Sequence, residues 1–235
     1  MATYNGEKFL QQQIQSILEE LGAEDELIIV DDASVDTTAE IVLSFHDPRI
    51  KWFPNTNNRG VNASFEKSIE FAEKDIIFMA DQDDIWVSGR VSVMKNALRL
   101  SGKRLLTTNS TCIDADGKAI EISLGAVSVL NSESHLKNIL DILLGKGNYF
   151  GCVMAFSGEL KKTILPFPRY IESHDLWIAK AANLLRSNQH IEDITLLRRV
   201  HGGNASIVKR NIFRKIRSRF VFVRSLIELV RRVYL

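Results

Sequence analysis

Between residues 6 and 21, apolar side chains recur every three or four positions, at Phe9, Leu10, Ile14, Ile17, Leu18 and Leu21. That rhythm predicts an amphipathic helix. It then breaks. Residues 26–30 form a short, nearly continuous apolar run that ends in Asp31-Asp32-Ala33-Ser34, the pattern of a buried parallel strand with acids at its carboxyl end. A helix over 37–45 follows, with Ser34 or Asp36 as its expected cap. Residues 50–53 read as a second strand, stopped by Pro54 and the Asn-rich turn up to Gly60. A helix over 62–72 and a strand over 75–80 complete a βαβαβ order, and this strand also ends in acids, Asp81-Gln82-Asp83-Asp84. Such alternation predicts an α/β fold with a Rossmann-like, mostly parallel central sheet flanked by helices, binding ligands at the strands' carboxyl ends.

Further along, the pattern predicts a helix over 89–100 and a strand over 105–113 with a turn at Asp114-Ala115-Asp116-Gly117. Next come a helix over 136–144, a buried strand over 151–156 and a helix over 175–185. After His201-Gly202-Gly203-Asn204 the chain becomes one long basic helix. Only Met1-Ala2-Thr3 precedes Tyr4-Asn5-Gly6, so the first strand is expected to be truncated and the sheet weakened there.

Composition adds limits. The chain has 235 residues, 45% hydrophobic and 25% charged, ordinary for a globular domain. Its two cysteines, Cys112 and Cys152, have neither a CxxC spacing nor a nearby His, which argues against a disulfide scaffold or structural zinc and for buried thiols. No apolar run reaches the roughly 18 residues needed to cross a bilayer. A cytoplasmic protein, peripheral to the inner face of the cell membrane, is the expectation.

Charge divides the chain in two. Residues 209–235 carry nine Lys/Arg and one acid, Glu228, whereas residues 1–208 carry 21 basic and 28 acidic residues. The tail spaces Ile212, Phe213, Ile216, Phe220, Val223, Leu226, Ile227, Val230 and Val233 at helical intervals among its arginines, the profile of a helix lying on an anionic membrane. A dimerising helix, or one packed on the acidic body, fits the same spacing. No RNA- or DNA-binding motif accompanies the charge, so nucleic acid is not an expected partner.

Three carboxylates within Asp81-Gln82-Asp83-Asp84 repel one another and are best tolerated beside a cation. Hard ions such as Mg2+ or Mn2+ bind carboxylates and bridge them to phosphates. Asp31 and Asp32 fit a nucleobase or ribose contact, and equally a capping role. Asp175 stands where a helix N-cap would, after Ser173-His174. Trp86 and Trp177 fit sugar stacking or core packing alike.

These segments, in order, resemble family 2 inverting glycosyltransferases, especially rhamnosyltransferase-like bacterial members. The motifs are Met1 to Leu10, Val30-Asp31-Asp32-Ala33-Ser34-Val35-Asp36-Thr37-Thr38, Asn57-Asn58-Arg59-Gly60, Asp81-Gln82-Asp83-Asp84-Ile85-Trp86, Pro166-Phe167, His174-Asp175-Leu176-Trp177-Ile178, and Arg199-Val200-His201-Gly202-Gly203-Asn204-Ala205-Ser206. The resemblance covers nearly all of residues 1–206. It implies a GT-A fold over residues 1–208; the basic amphipathic helix over 209–235 lies outside the resemblance and rests on charge and spacing alone.

The resemblance also implies roles. Thr3, Tyr4, Asp31 and Asp32 would serve the nucleotide sugar, together with Trp86, His174 and Trp177. Asp81 and Asp83 would hold metal and donor diphosphate, with Asp83 the first ligand and His201 a late third. Asp175 would be the general base toward the acceptor hydroxyl. Leu197-Arg198-Arg199 departs from the family, where an aromatic residue often precedes the late Arg-x-His. The implied activity is metal-dependent sugar transfer, with rhamnose a candidate sugar, from a nucleoside-diphosphate donor to a saccharide or lipid-linked acceptor in cell-surface polysaccharide synthesis. A non-catalytic sugar-nucleotide-binding or polysaccharide-assembly module is the alternative. A nucleotidyltransferase ranks below both, because no Gly-rich phosphate loop opens the chain.

Overall fold

The computed structural model describes residues 1–122, 124–202 and 212–234; the motif residues 203–206 and the first residues of the basic tail, 209–211, lie outside them. Three strands, β1 (Ala2–Thr3), β2 (Leu27–Asp31) and β3 (Ile50–Pro54), form a parallel sheet in that spatial order. The register sets Thr3 opposite Asp31, and Asp31 opposite Pro54. Helices α1 (Leu10–Glu20), α2 (Thr38–Ser44) and α3 (Val61–Phe71) alternate with these strands. All five residues of β2 are buried, as its unbroken apolar run requires. β1 is two residues long, and an apolar cavity of about 280 Å³, lined by Leu27, Ile69, Ile77 and Phe78 among others, lies beside it.

The second sheet departs from the parallel expectation. It comprises β4 (Ile76–Phe78), β5 (Ile85–Trp86), β6 (Leu105–Ile113), β7 (Met154–Ser157) and β8 (Asn188–Arg199), in the order β4-β7-β6-β8-β5. Only β6 and β8 run parallel; the other three pairings are antiparallel. Strand direction leaves no mark on a short run buried on both faces, so sequence pattern alone does not reveal it.

Other boundaries shift for local reasons. The helix expected from residue 6 begins at Leu10, because the Gly6 carbonyl accepts the amides of Phe9 and Leu10, both at 3.1 Å, in a turn of its own. Residues Gly151–Val153 are a 3-10 turn, and the strand begins only at Met154. The long β8 escapes a pattern reading because bulges against β6 near Asn109 break its alternation of buried and exposed positions.

Helices α4 (Arg90–Ser101), α5 (His135–Leu144), α6 (Lys161–Ile164) and α7 (His174–Leu184) follow in chain order. Trp86 and Trp177 both belong to the core, which corrects their expected place against a sugar. Trp177 is fully buried and its indole N–H donates to the Ile164 carbonyl at 2.9 Å. Trp86 packs between Phe78 and the buried Arg90 guanidinium.

The last helix, α8 (Ile212–Tyr234), packs on α6 and α7. Phe222, Ser225 and Leu229 are buried in that contact. Arg232 donates to the carbonyls of Thr163 and Ile164, and Lys180 donates to the Ser225 hydroxyl. Body packing therefore takes one side of the helix, mainly through residues other than those singled out in the sequence, with Leu226 the exception.

Candidate active site

A cleft of about 1070 Å³ opens where the carboxyl ends of β1, β2 and β4 meet the start of α7. Thr3, Tyr4, Asp32, Asp81, Asp83, Asp84, His174, Asp175 and Arg198 all line it. Residues far apart in sequence are thus gathered in one place, as expected of an open α/β sheet.

The two acids at the carboxyl end of β2 hold loops. Asp31 accepts from the Thr3 hydroxyl at 2.8 Å and from the Ser34 amide at 2.9 Å, which joins β1 to the turn after β2. Asp32 accepts from the amides of Arg59 and Gly60, both at 2.8 Å, and from the Asn55 side chain at 3.1 Å. It thereby shapes the Asn-rich turn on the cleft wall. Thr37, not Ser34 or Asp36, stands at the N-cap of α2 and makes no side-chain cap bond, while Asp36 just before it accepts from the Thr38 amide at 3.0 Å. Ser34 instead accepts from the Asn5 amide at 2.8 Å.

The acid turn after β4 is braced from several sides. Its backbone carbonyls accept from Gln13 at Asp81, 2.8 Å, and from Arg199 at Asp83, 2.9 Å. Gln82 bonds both the amide and the carbonyl of Tyr4. The buried Arg199 also reaches Gln12, at 2.7 Å, and the carbonyls of Asp114 and Ala115. Its motif marks Arg199 in the sequence, but its bracing role does not show there, because a charged residue inside a strand gives no pattern signal of its own.

Charge crowding in the turn is severe. Burial, and then the neighbouring Asp83, raise the Asp81 carboxyl above its ordinary range. Burial followed by Asp81 and Asp83 pushes Asp84 up to about 8. Asp84 accepts from the Arg199 amide at 2.9 Å, while its other oxygen is buried with no hydrogen-bond partner among the described residues. His201 Nε2 lies 2.8 Å from an Asp83 carboxylate oxygen. Partly buried carboxylates that repel one another, with an imidazole alongside, form an oxygen-rich donor set that fits Mg2+ or Mn2+. The thiol of Cys152 also comes within 4.8 Å of the Asp81 and Asp84 oxygens, but hard ions disfavour sulfur.

Opposite the turn, Ser173 caps α7, so Asp175 sits in the helix's first turn rather than at its cap. Its carboxylate accepts from the Leu176 amide at 2.7 Å. Burial pushes this carboxyl up to about 6, with the Leu176 amide pulling the other way. His174 is held by Asn62 Oδ1, which lies 3.1 Å from its amide and 3.2 Å from Nδ1. An acceptor there assigns the proton to Nδ1. Nε2 is then the acceptor, and it is buried with no hydrogen-bond partner among the described residues. The ring stacks on Phe65, and burial lowers its pKa to about 4. Arg198 stands over the Phe150 ring, 4.2 Å from its centroid, on the same cleft.

Comparison with known proteins bears on the family and the fold. The family model described as Glycosyl transferase family 2 matches residues 1–162. A UDP-Glc:alpha-D-GlcNAc-diphosphoundecaprenol beta-1,3-glucosyltransferase of Escherichia coli is 33% identical over 93 residues, which are 40% of this chain and 37% of that protein. A dTDP-rhamnosyl transferase of Shigella flexneri is 32% identical over 123 residues, 49% of this chain and 40% of that one. The matches thus span about two fifths of the length of these curated relatives. Among solved structures, Staphylococcus aureus TarS in complex with UDP-GlcNAc superposes with a TM-score of 0.69 at 17% identity, covering 98% of this chain and 70% of that one. A Pyrobaculum calidifontis mannosyltransferase in complex with GDP-Man and Mn2+ gives 0.63 at 14% identity, covering 98% and 72%. The fold is the GT-A fold of these enzymes.

Proposed function

The chain belongs to glycosyl transferase family 2, and from that premise we propose that it transfers a sugar, with inversion, from a nucleoside-diphosphate donor to a hydroxyl acceptor in the building of a cell-surface polysaccharide. One observation carries this reading: Asp81 and Asp83 face Asp175 across a single cleft whose wall is shaped by Thr3, Tyr4, Asp31 and Asp32. A donor fits with its nucleoside on the Tyr4 side and its diphosphate toward the acid turn.

In the reaction, the acceptor hydroxyl oxygen bonds to the anomeric carbon. Its proton passes to the Asp175 carboxylate, and the bond from the anomeric carbon to the diphosphate oxygen breaks on the opposite face, releasing the nucleoside diphosphate. Burial gives Asp175 the basicity for this step. His174, kept neutral, offers Nε2 as an acceptor beside it. Asp83, with Asp81 and His201, would hold Mg2+ or Mn2+. Such an ion, when bound, neutralises charge on the departing diphosphate, and Arg198 is positioned to add to that.

The Shigella relative makes dTDP-rhamnose the first donor to test, and the Escherichia coli relative makes a diphosphate-linked lipid saccharide the first acceptor class. Residues 1–208 supply the reacting and metal-holding side chains, Lys215, Ser218 and Arg219 of α8 complete the cleft, and the reaction takes place at the cytoplasmic face of the membrane. Incubation with UDP-, dTDP- and GDP-sugars, with and without Mn2+, tests the proposal. Metal-dependent release of one nucleoside diphosphate is the expected result; no binding and no release with any donor would refute it.

A further inference from the structure

With Phe222, Ser225 and Leu229 of α8 packed on the body, its other side stands free. That side presents Phe213, Ile216, Phe220, Val223, Ile227, Val230 and Tyr234, spaced by three and four residues in strict alternation. Their exposure ranges from 38% at Val230 to 78% at Phe213. One position beyond this stripe runs a row of exposed arginines, Arg217, Arg224 and Arg231, of which Arg224 also covers the Tyr170 ring. The acid of the helix, Glu228, is engaged by Arg232 at 3.1 Å.

Two kinds of surface match a heptad stripe of this sort, a second copy of the helix or a lipid layer. Charge decides between them. Antiparallel pairing with a second copy would set the arginine row against itself, and parallel pairing would set it against the side bearing Arg219. Neither arrangement supplies an acid to answer the arginines, and like charges flanking a helix pair oppose association. An anionic bilayer offers an apolar layer for the stripe and phosphates for the arginines.

We propose that the Phe213 to Tyr234 stripe of α8, with Arg217, Arg224 and Arg231, docks in the plane of an anionic lipid bilayer. The helix lies on the surface and does not cross it: no helix among the described residues is long and apolar enough to span a membrane. On its inner side the same helix contributes Lys215, Ser218 and Arg219 to the cleft, and Ser218 donates to Glu172 at 2.7 Å. Docking therefore brings the rim of the cleft beside the bilayer, where a lipid-linked acceptor would present its hydroxyl. That consequence rests on the transfer reading, whereas the docking itself does not.

Cosedimentation of the full chain with vesicles tests the proposal without any turnover. Vesicles containing phosphatidylglycerol should bind the protein, and vesicles of phosphatidylcholine alone should bind it far more weakly. F220S/I227S, at exposed positions where folding tolerates polar residues, should abolish binding while the circular dichroism spectrum stays unchanged. R217Q/R231Q should weaken binding by about fivefold per arginine removed. Equal binding of F220S/I227S and the unaltered chain would overturn the proposal. So would a dimer in sedimentation velocity that the same substitution dissolves, with no vesicle binding. Nucleotide release measured without vesicles reads the transfer claim separately, so failure of one leaves the other standing.

Discussion

The Gln82 side chain grips the backbone of Tyr4: Gln82 Oε1 accepts the Tyr4 amide at 2.8 Å, and Gln82 Nε2 donates to the Tyr4 carbonyl at 3.1 Å. The residue between two metal-ligand candidates thus fixes the loop on the nucleoside side. A methyl group at Gly6 would stand 2.7 Å from the same Gln82 oxygen, so the clasp also accounts for a glycine there.

Gln82→Ala should loosen this coupling. Two partly solvated hydrogen bonds contribute about 1–2 kcal/mol together, so donor affinity is expected to fall roughly five- to thirtyfold, since about 1.4 kcal/mol is tenfold. Calorimetric titration with the donor checks this, and an unchanged affinity would show that the clasp does not serve binding.

Trp177 should behave as a core residue. Trp177→Ala is expected to cost about 3–5 kcal/mol in unfolding free energy, read from urea denaturation. Trp177→Phe, which loses mainly the bond to the Ile164 carbonyl, should cost about 1–2 kcal/mol. Neither should change the donor dissociation constant of the folded protein; a change would reinstate sugar stacking.

Asp83→Asn should raise the half-saturating Mn2+ concentration at least about tenfold, the loss expected when one charged ligand is neutralised. Chelation by EDTA should abolish donor turnover in the unaltered chain and leave its circular dichroism intact. Metal-independent turnover would remove Asp81, Asp83 and His201 from the ligand set.

The pH dependence follows from Asp175. A general base acts as its carboxylate, and burial raises this one to about 6. Turnover should therefore be full above that value and fall as pH drops through it, approaching tenfold per unit below. His174, lowered to about 4 by burial, is neutral above about pH 5 and adds no second limb there. A rate that stays flat down to pH 4 would contradict the assignment.

Much of this arrangement was legible in the sequence because it rests on local signals. The acids after β2 and β4 announced themselves by following short apolar runs, and the α7 start by Ser173-His174-Asp175. The interior was less readable. Trp86 and Trp177 look alike beside apolar runs whether they face a sugar or a core, and only packing separates them. β8 hid behind its bulges, and Arg199 and Gln82 act through backbone groups that no spacing reveals. The tail was half legible: its helical period was plain, but Phe222, Ser225 and Leu229, on the face that meets the body, sat outside the apolar set that drew attention.

The most direct measurement is donor binding and sugar transfer by Asp175→Asn, compared with the unaltered chain at pH 7.5 with Mn2+ present. The substitution keeps the shape of the side chain and removes its basicity, so donor affinity should change less than about twofold while transfer falls by about 10²-fold to 10⁴-fold. Transfer at an undiminished rate would contradict the proposed base and with it the reaction described for this cleft.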